Sequence, residues 1–368
     1  MRIAMVGTRG IPAGSGGAER VVQELAAELT ACGHEVLVYS RCGYVGRSPH
    51  PPAGRSILTP GLPGKHLDTI THTATAMCDL LRRKVDVVHV HSPGPALLSW
   101  IPRLAGLPVV LTIHAPDWQR DRWSAPAQAA LRLGLSCGMR LATAVTCVSP
   151  SLAGQLSKQF AREVHWVPNG VRPASPPPIR RISRWGLEDD RYVLTVGRIV
   201  PEKGLDLLLR AWPVVAEKFP HKLVIVGGPG DAGYARRCRD IAPEAAFVGE
   251  QTGGVLSELY GHASLIVQPS RLEGMSLVLL EAAVLGRCIL AADIEANSSV
   301  MGDSILYFNR DNADDLANRV CQALGDQEDR REAGRRAKAL VESRYTWSAA
   351  AALMECVYRQ AIRGVSPT

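Results

Sequence analysis

Four groups of residues have types and spacings that could do chemistry. Glu273 and Glu281 stand eight positions apart in "SRLEGMSLVLLEAAVLG" (270–286). Carboxylates accept hydrogen bonds from sugar or ribose hydroxyls, so two of them on one short segment suit a polyhydroxylated ligand. Gly274 between them lets backbone N–H groups reach an oxygen ligand. Arg198 and Lys203 bracket the entry to a helix in "GRIVPEKG" (197–204). Two cations beside a helix N-terminus suit a diphosphate. Gly16 and Gly17 lie in the glycine-rich turn "GTRGIPAGSGGAER" (7–20), where a backbone without side chains can approach a phosphate. His89, His91 and His114 stand at the ends of apolar runs. Each group has a plainer reading. Glu281 could pair with a buried arginine, Glu273 could cap its helix, "GRIVPEKG" could be a solvated basic loop, and the turn could simply be flexible.

The elements that must position these residues follow from periodicity. Apolar runs at 2–7, 34–40, 85–91, 107–114 and 144–149 read as strands, and "GAERVVQELAAELTACG" (17–33) as a helix. A proline-rich stretch with Asn-Gly, "VPNGVRPASPPPIRR" (167–181), reads as a linker. The rhythm restarts with strands at 192–197, 221–228, 245–249, 263–270 and 287–293 and helices at 204–219 and 275–286. A last helix over roughly 347–363 has no strand after it. Two doubly wound α/β domains are expected, with residues 1–170 and 171–345, and a terminal helical segment, 346–368. In open parallel sheets ligands bind beyond the carboxyl ends of the strands, and every candidate group follows a strand.

Composition narrows the class. The 368 residues are 46% hydrophobic, which fits folded domains. No apolar run reaches spanning length without charge or proline, and "MRIAMVG" lacks a signal-peptide pattern, so a cytosolic protein is expected. Nine scattered cysteines, with no C-x-x-C, argue against a disulfide framework or a thiolate zinc site. No Asp-x-Asp occurs, and no metal is expected. Residues 1–175 hold 18 Lys and Arg against 10 Asp and Glu, a balance of +8, whereas the rest hold 24 against 25. A basic first half fits an anionic partner: a phosphate-bearing substrate or an anionic membrane surface. Nucleic acid is disfavoured, because the basic residues lack interleaved aromatics.

Together, "EGMSLVLLE", "GRIVPEKG", the N-terminal Gly-Gly loop and "PNGV" resemble the retaining family 4 glycosyltransferases, in the right order over essentially the whole chain. "GTRGIPAGSGGAE", "TIHAPDWQRDRW" and "VGRIVPEKG" are similar to a branch that builds bacterial polysaccharides, including rhamnosyltransferases of capsule assembly. That branch often reads Gly-Phe-Glu-Thr after the glycines and His-Gly-x-Asp-Trp at the histidine. This chain has "GGAER" and "HAPDW". The resemblance implies the GT-B fold: two Rossmann-like domains facing across a cleft, the terminal helix crossing back onto the first. It implies a UDP-, GDP- or dTDP-linked sugar as donor and a saccharide or lipid-linked saccharide as acceptor.

Residue by residue, the resemblance assigns Arg198 and Lys203 to the donor diphosphate, and Glu281 to the ribose. It assigns Glu273, with Gly274, Met275, Ser276 and Leu277, to the sugar and its phosphate. Gly16 and Gly17 approach the diphosphate, and Gly249 lies near the base. His114 lies by the reacting sugar, with Arg9, His91, Asp117 and Trp118 toward the acceptor. Retention is expected through attack on the leaving-group face, or through Glu273 as a covalent nucleophile. A sugar-nucleotide epimerase and a non-catalytic nucleotide-sugar binder are the competing functions. A basic segment with Trp118, Trp123, Arg120, Arg122, Arg132 and Arg140 adds peripheral membrane attachment as an expectation.

Overall fold

The computed structural model describes residues 1–14, 16–44, 53–64, 67–120 and 123–364. Two compact units appear: residues 1–170 with 347–368, and residues 171–346. The chain therefore passes between units twice, at Gly170–Val171 and at Thr346–Trp347.

Unit 1 holds seven parallel strands: β1 (Arg2–Val6), β2 (Glu35–Arg41), β3 (Arg55–Thr59), β4 (Val87–His91), β5 (Val109–Ile113), β6 (Ala144–Cys147) and β7 (His165–Trp166). Their order is β3-β2-β1-β4-β5-β6-β7. Side chains alternate between the two faces of a strand. Accordingly Ala4 and Val6 enter one core cluster and Ile3 and Met5 the other, so both faces are covered. The second cluster includes Ala351, Met354, Tyr358 and Ala361 of the terminal helix, Trp347–Arg363. Their spacing of three and four residues is one face of a helix.

Unit 2 begins its sheet with β8 (Tyr192–Val196), β9 (Lys222–Val226) and β10 (Ala246–Gly249). It continues with β11 (Leu265–Gln268), β12 (Ile289–Ala292) and β13 (Leu306–Phe308). The order is β10-β9-β8-β11-β12-β13, all parallel. The proline-rich segment is fastened to this unit. Glu258 accepts the backbone N–H groups of Arg180, Arg181 and Ile182 at 2.5, 2.7 and 3.1 Å.

In each sheet the chain runs outward one way and then returns to the other side of its first strand. The switch points are β1/β4 and β8/β11, the places where open α/β sheets leave a crevice. Three strands escape the periodicity. β7 is two residues long, β13 is three, and β3 is an edge strand with Arg55 and Leu58 exposed. β7 and β13 carry too few alternations to register, and β3, "RSILT", has too short an apolar run.

Candidate functional site

In unit 2, three loops meet at the carboxyl ends of β8, β9 and β11. A cavity there is lined by Gly197, Arg198, Lys203, Ile225, Gln268 and Ser270, among others. Glycines make the approach close. A Cβ on Gly227 would lie 1.8 Å from the Gly197 carbonyl oxygen, and one on Gly204 would lie 2.0 Å from that of Pro269. Gly204 also has φ +65°, a left-handed conformation that favours glycine. β8 and β9 stay paired beyond their ends, with the Ile199 N–H donating to Gly228 O at 3.0 Å.

The charged groups are tied together. Lys203 Nζ sits 2.5 Å from Glu273 Oε1, with the carboxylate side chain only 10% exposed. Gln268 Nε2 donates to the same oxygen at 2.8 Å. Arg271 straps the loops from behind. Its guanidinium donates to Pro201 O and to both oxygens of Asp206 at 2.8, 2.8 and 3.1 Å, and to Asp311 at 2.6 Å. Its backbone N–H donates to Glu202 O at 2.9 Å. Hydrogen bonds from Arg271 and Tyr234 outweigh burial and hold the Asp206 carboxyl below its usual range. Gln268, Arg271 and the glycines of "VGGPG" (226–230) were not among the expected site residues. The glycine run after β9 was the available signal.

Glu281 keeps some exposure on the helix Leu277–Val284, most of whose residues are buried. Gly274 and Met275 are buried ahead of that helix, and Ser276 is its N-cap. Gly249, exposed at the end of β10, accepts from the Gly227 N–H at 2.9 Å.

In unit 1 the histidines end β4 and follow β5. A buried series of hydrogen bonds joins Thr146 Oγ1 to Thr112 Oγ1 at 2.6 Å, Thr112 Oγ1 to His89 Nε2 at 2.6 Å, and His89 Nδ1 to the Tyr358 hydroxyl at 2.7 Å. With one ring nitrogen bonded to each neighbour, a neutral His89 donates through one and accepts through the other. The His89 and His91 rings lie 3.9 Å apart, and His91 Nδ1 is 3.0 Å from His114 Nε2. Burial, with a smaller effect from His114, pushes His89 down to about 3. Burial, opposed by Asp117, pushes His114 down to about 4. Burial lowers His91 as well. All three rings are neutral at pH 7.

Gly16 caps the helix Gly17–Ala31 with φ +150°, and a Cβ there would lie 2.1 Å from Glu19 Oε2. Arg9 lies 5.4 Å from the centroid of the Tyr44 ring. Trp118, one of the residues expected toward the acceptor, is 9% exposed and packs in the core. His91 is 1% exposed and bonded to His114, and both line a small cavity with His89 and Thr112. Asp117 is engaged by Arg120 at 2.7 Å. Trp123 is half-buried, and Arg122 lies outside the described residues. Among the described residues, no group of three His, Cys, Asp or Glu is placed to hold a metal ion.

Residues 15–175 match the family model described as Glycosyltransferase Family 4, and residues 190–326 match that described as Glycosyl transferases group 1. The chain is 27% identical to the phosphatidyl-myo-inositol mannosyltransferase of Mycolicibacterium smegmatis, over 93% of this chain and 90% of that one. It is 27% identical to glycogen synthase of Mycobacterium tuberculosis, over 99% and 96%. The fold matches sucrose-phosphate synthase from Thermosynechococcus elongatus with a TM-score of 0.84 at 22% identity, covering 98% of each chain. It matches Anabaena HepE, in a complex with UDP and glucose, with a TM-score of 0.77 at 16% identity, covering 97% of this chain and 99% of that one.

Proposed function

The chain belongs to glycosyltransferase family 4, with the GT-B fold, and we propose that it is a retaining, metal-independent transferase using a nucleoside-diphosphate sugar as donor. The acceptor is a saccharide, lipid-linked, in the synthesis of a bacterial surface polysaccharide or glycoconjugate. One observation carries the donor reading: Arg198 and Lys203 line one cavity at a topological switch point, with Glu273 bound to Lys203. The complex of HepE with UDP supports such a donor, and the relative that mannosylates phosphatidyl-myo-inositol supports a lipid-borne acceptor.

The chemistry follows from charge. Breaking the glycosidic bond releases a nucleoside diphosphate, an anion. Fixed cations aimed at it lower the barrier, and Arg198 and Lys203 supply them. The start of the helix Leu277–Val284 adds N–H groups for a phosphate oxygen. The acceptor attacks from the face that the diphosphate leaves, and a departing phosphate oxygen takes its proton. Glu273 stays ionised beside the sugar and offsets the positive charge at its anomeric carbon. Glu281 binds the ribose hydroxyls. His114, neutral at pH 7, acts as a hydrogen-bond partner of the reacting sugar rather than as a cation. With two cations built in, activity survives EDTA; loss in EDTA with recovery in manganese would count against this mechanism.

The test is sugar-dependent release of nucleoside diphosphate, preceded by thermal shifts with UDP, GDP and dTDP. A ligand that binds only the native state raises its melting temperature, so the base is identified directly. No shift with any of the three would refute the donor reading.

Peripheral attachment to an anionic membrane through the first domain is part of the proposal, with exposed apolar residues added to the basic residues of the segment 117–142. No helix among the described residues is long and apolar enough to cross a membrane. Trp100 and Leu104 are 47% and 80% exposed on a short helix with Arg103, and Leu133 is 58% exposed next to Arg132. An exposed indole and basic residues suit a headgroup layer. Binding to anionic vesicles that weakens at high salt is the expected result. Equal binding to neutral vesicles would remove the electrostatic part.

A further inference from the structure

Strand β11 ends on Gln268, which is 3% exposed and bonded at both ends of its carboxamide. Nε2 donates to Glu273 Oε1 at 2.8 Å and to Ser276 Oγ at 2.7 Å, and Oε1 lies 2.9 Å from the same Ser276 hydroxyl. The same Glu273 oxygen also takes Lys203 Nζ at 2.5 Å. Gln268 lines the cavity with Arg198 and Lys203.

Two physical consequences follow. A carboxylate oxygen shared between an amide and an ammonium is held by both. Without the amide, Lys203 would bear more of the Glu273 charge, and an arriving diphosphate would have to loosen a stronger ion pair. Ser276 is affected too. A serine at a helix N-cap ordinarily accepts from the N–H two or three residues on. Ser276 makes no such bond, because its hydroxyl is turned to Gln268.

We propose that Gln268 is a positioning residue of the donor site. It moderates the hold of Glu273 on Lys203 and draws Ser276 away from the helix end, which keeps Lys203 and that helix end available to the diphosphate. The proposal rests on the nucleotide-sugar reading above and adds a residue to it.

Two substitutions test it on the full chain. Gln268→Met keeps volume but neither donates nor accepts as the amide does. Losing a hydrogen bond to a charged group amounts to about tenfold or more, so its affinity for the nucleoside diphosphate and its turnover should both fall by about that factor at every pH. Gln268→Glu places a second carboxyl beside Glu273. Protonated, it donates as the amide does; ionised, it repels Glu273.

Calorimetric titration with UDP, GDP and dTDP, and turnover with the donor so identified, are measured from pH 5 to pH 8. Each variant is expressed as a ratio to wild type at the same pH, which cancels titration of the nucleotide phosphate. Gln268→Glu should approach wild type at pH 5 and fall by about tenfold or more toward pH 8. This loss within one folded sample is one that a merely structural role would not produce. In a Glu273→Ala background Gln268→Met should have little further effect, since the group it positions is gone. Ratios near one for both variants at every pH would overturn the proposal while leaving the donor reading intact. A wild type that binds none of the three nucleotides would overturn both.

Discussion

Lys203 and Glu273 hold one another in the structure, and that pairing separates their expected mutant behaviour. Arg198→Ala and Lys203→Ala each remove a cation that the proposed mechanism aims at the leaving group. Turnover should drop on the order of 10²-fold or more with an unchanged melting profile, and near-normal turnover in both would refute their assignment. Glu273→Ala and Glu281→Ala should differ in kind. In the proposed mechanism the first acid stands beside the reacting sugar, so its loss lowers kcat. There the second holds ribose, away from the breaking bond, so its loss raises the donor KM with kcat nearly kept. Steady-state kinetics with the pattern reversed would show the two roles exchanged. At this level the sequence was informative about charged groups and poor about their neighbours. Arg198, Lys203 and Glu273 stood out by type and spacing. Gln268 and Arg271 did not, because a neutral amide and one more arginine carry no local pattern. The burial of Trp118 was equally hidden, because an aromatic beside charged residues looks the same in sequence whether it faces the core or a ligand.

Strands and their loops set the precision of the site, and two predictions belong to them. Gly204→Ala adds a Cβ at φ +65° that would lie 2.0 Å from the Pro269 carbonyl oxygen. The loop carrying Lys203 must move, at a cost of about 1–3 kcal/mol in stability, and donor affinity should fall with it. Denaturant titration and nucleotide binding on the same variant would check both; an unchanged pair would show that the contact is slack. The histidines at β4 and β5 give a pH dependence. Their folded pKa values lie below the ordinary histidine value of 6.5, with His89 at about 3 and His114 at about 4. The unfolded chain therefore binds more protons, and stability is fully present above pH 6.5 and declines as pH falls toward 4 and then 3. His89→Gln should flatten part of that decline in melting temperature. An equal slope in the variant would assign the effect to other groups. The alternation of strands and helices was legible because buried parallel strands are long apolar runs. The ordering of β1/β4 and β8/β11 is a property of the sheet, and it became visible only when the strands were paired.

Across the whole molecule, the terminal helix belongs to the unit where the chain begins. It supplies Met354, Tyr358 and Ala361 to one face of the first sheet, and Tyr358 anchors the bonded series that ends at Thr146. A chain ending at residue 346 should therefore lose the cooperative unfolding of unit 1, exposing apolar surface, while unit 2 keeps its fold and its affinity for a nucleoside diphosphate. Calorimetry showing two intact transitions in the truncated chain would contradict this. The last helix could be predicted as a helix from its period, but which sheet it covers depends on contacts remote in sequence. The double passage of the chain also dictates an order of birth. Domains generally fold as they leave the ribosome, the N-terminal one first. Here the first 170 residues emerge with one sheet face covered only in part, by the helix Gly17–Ala31, and wait for the final helix, while residues 171–346, made later, already have everything they need. The half of the protein that starts first is the half that matures last, and its exposed face is the stretch of nascent chain most in need of a chaperone.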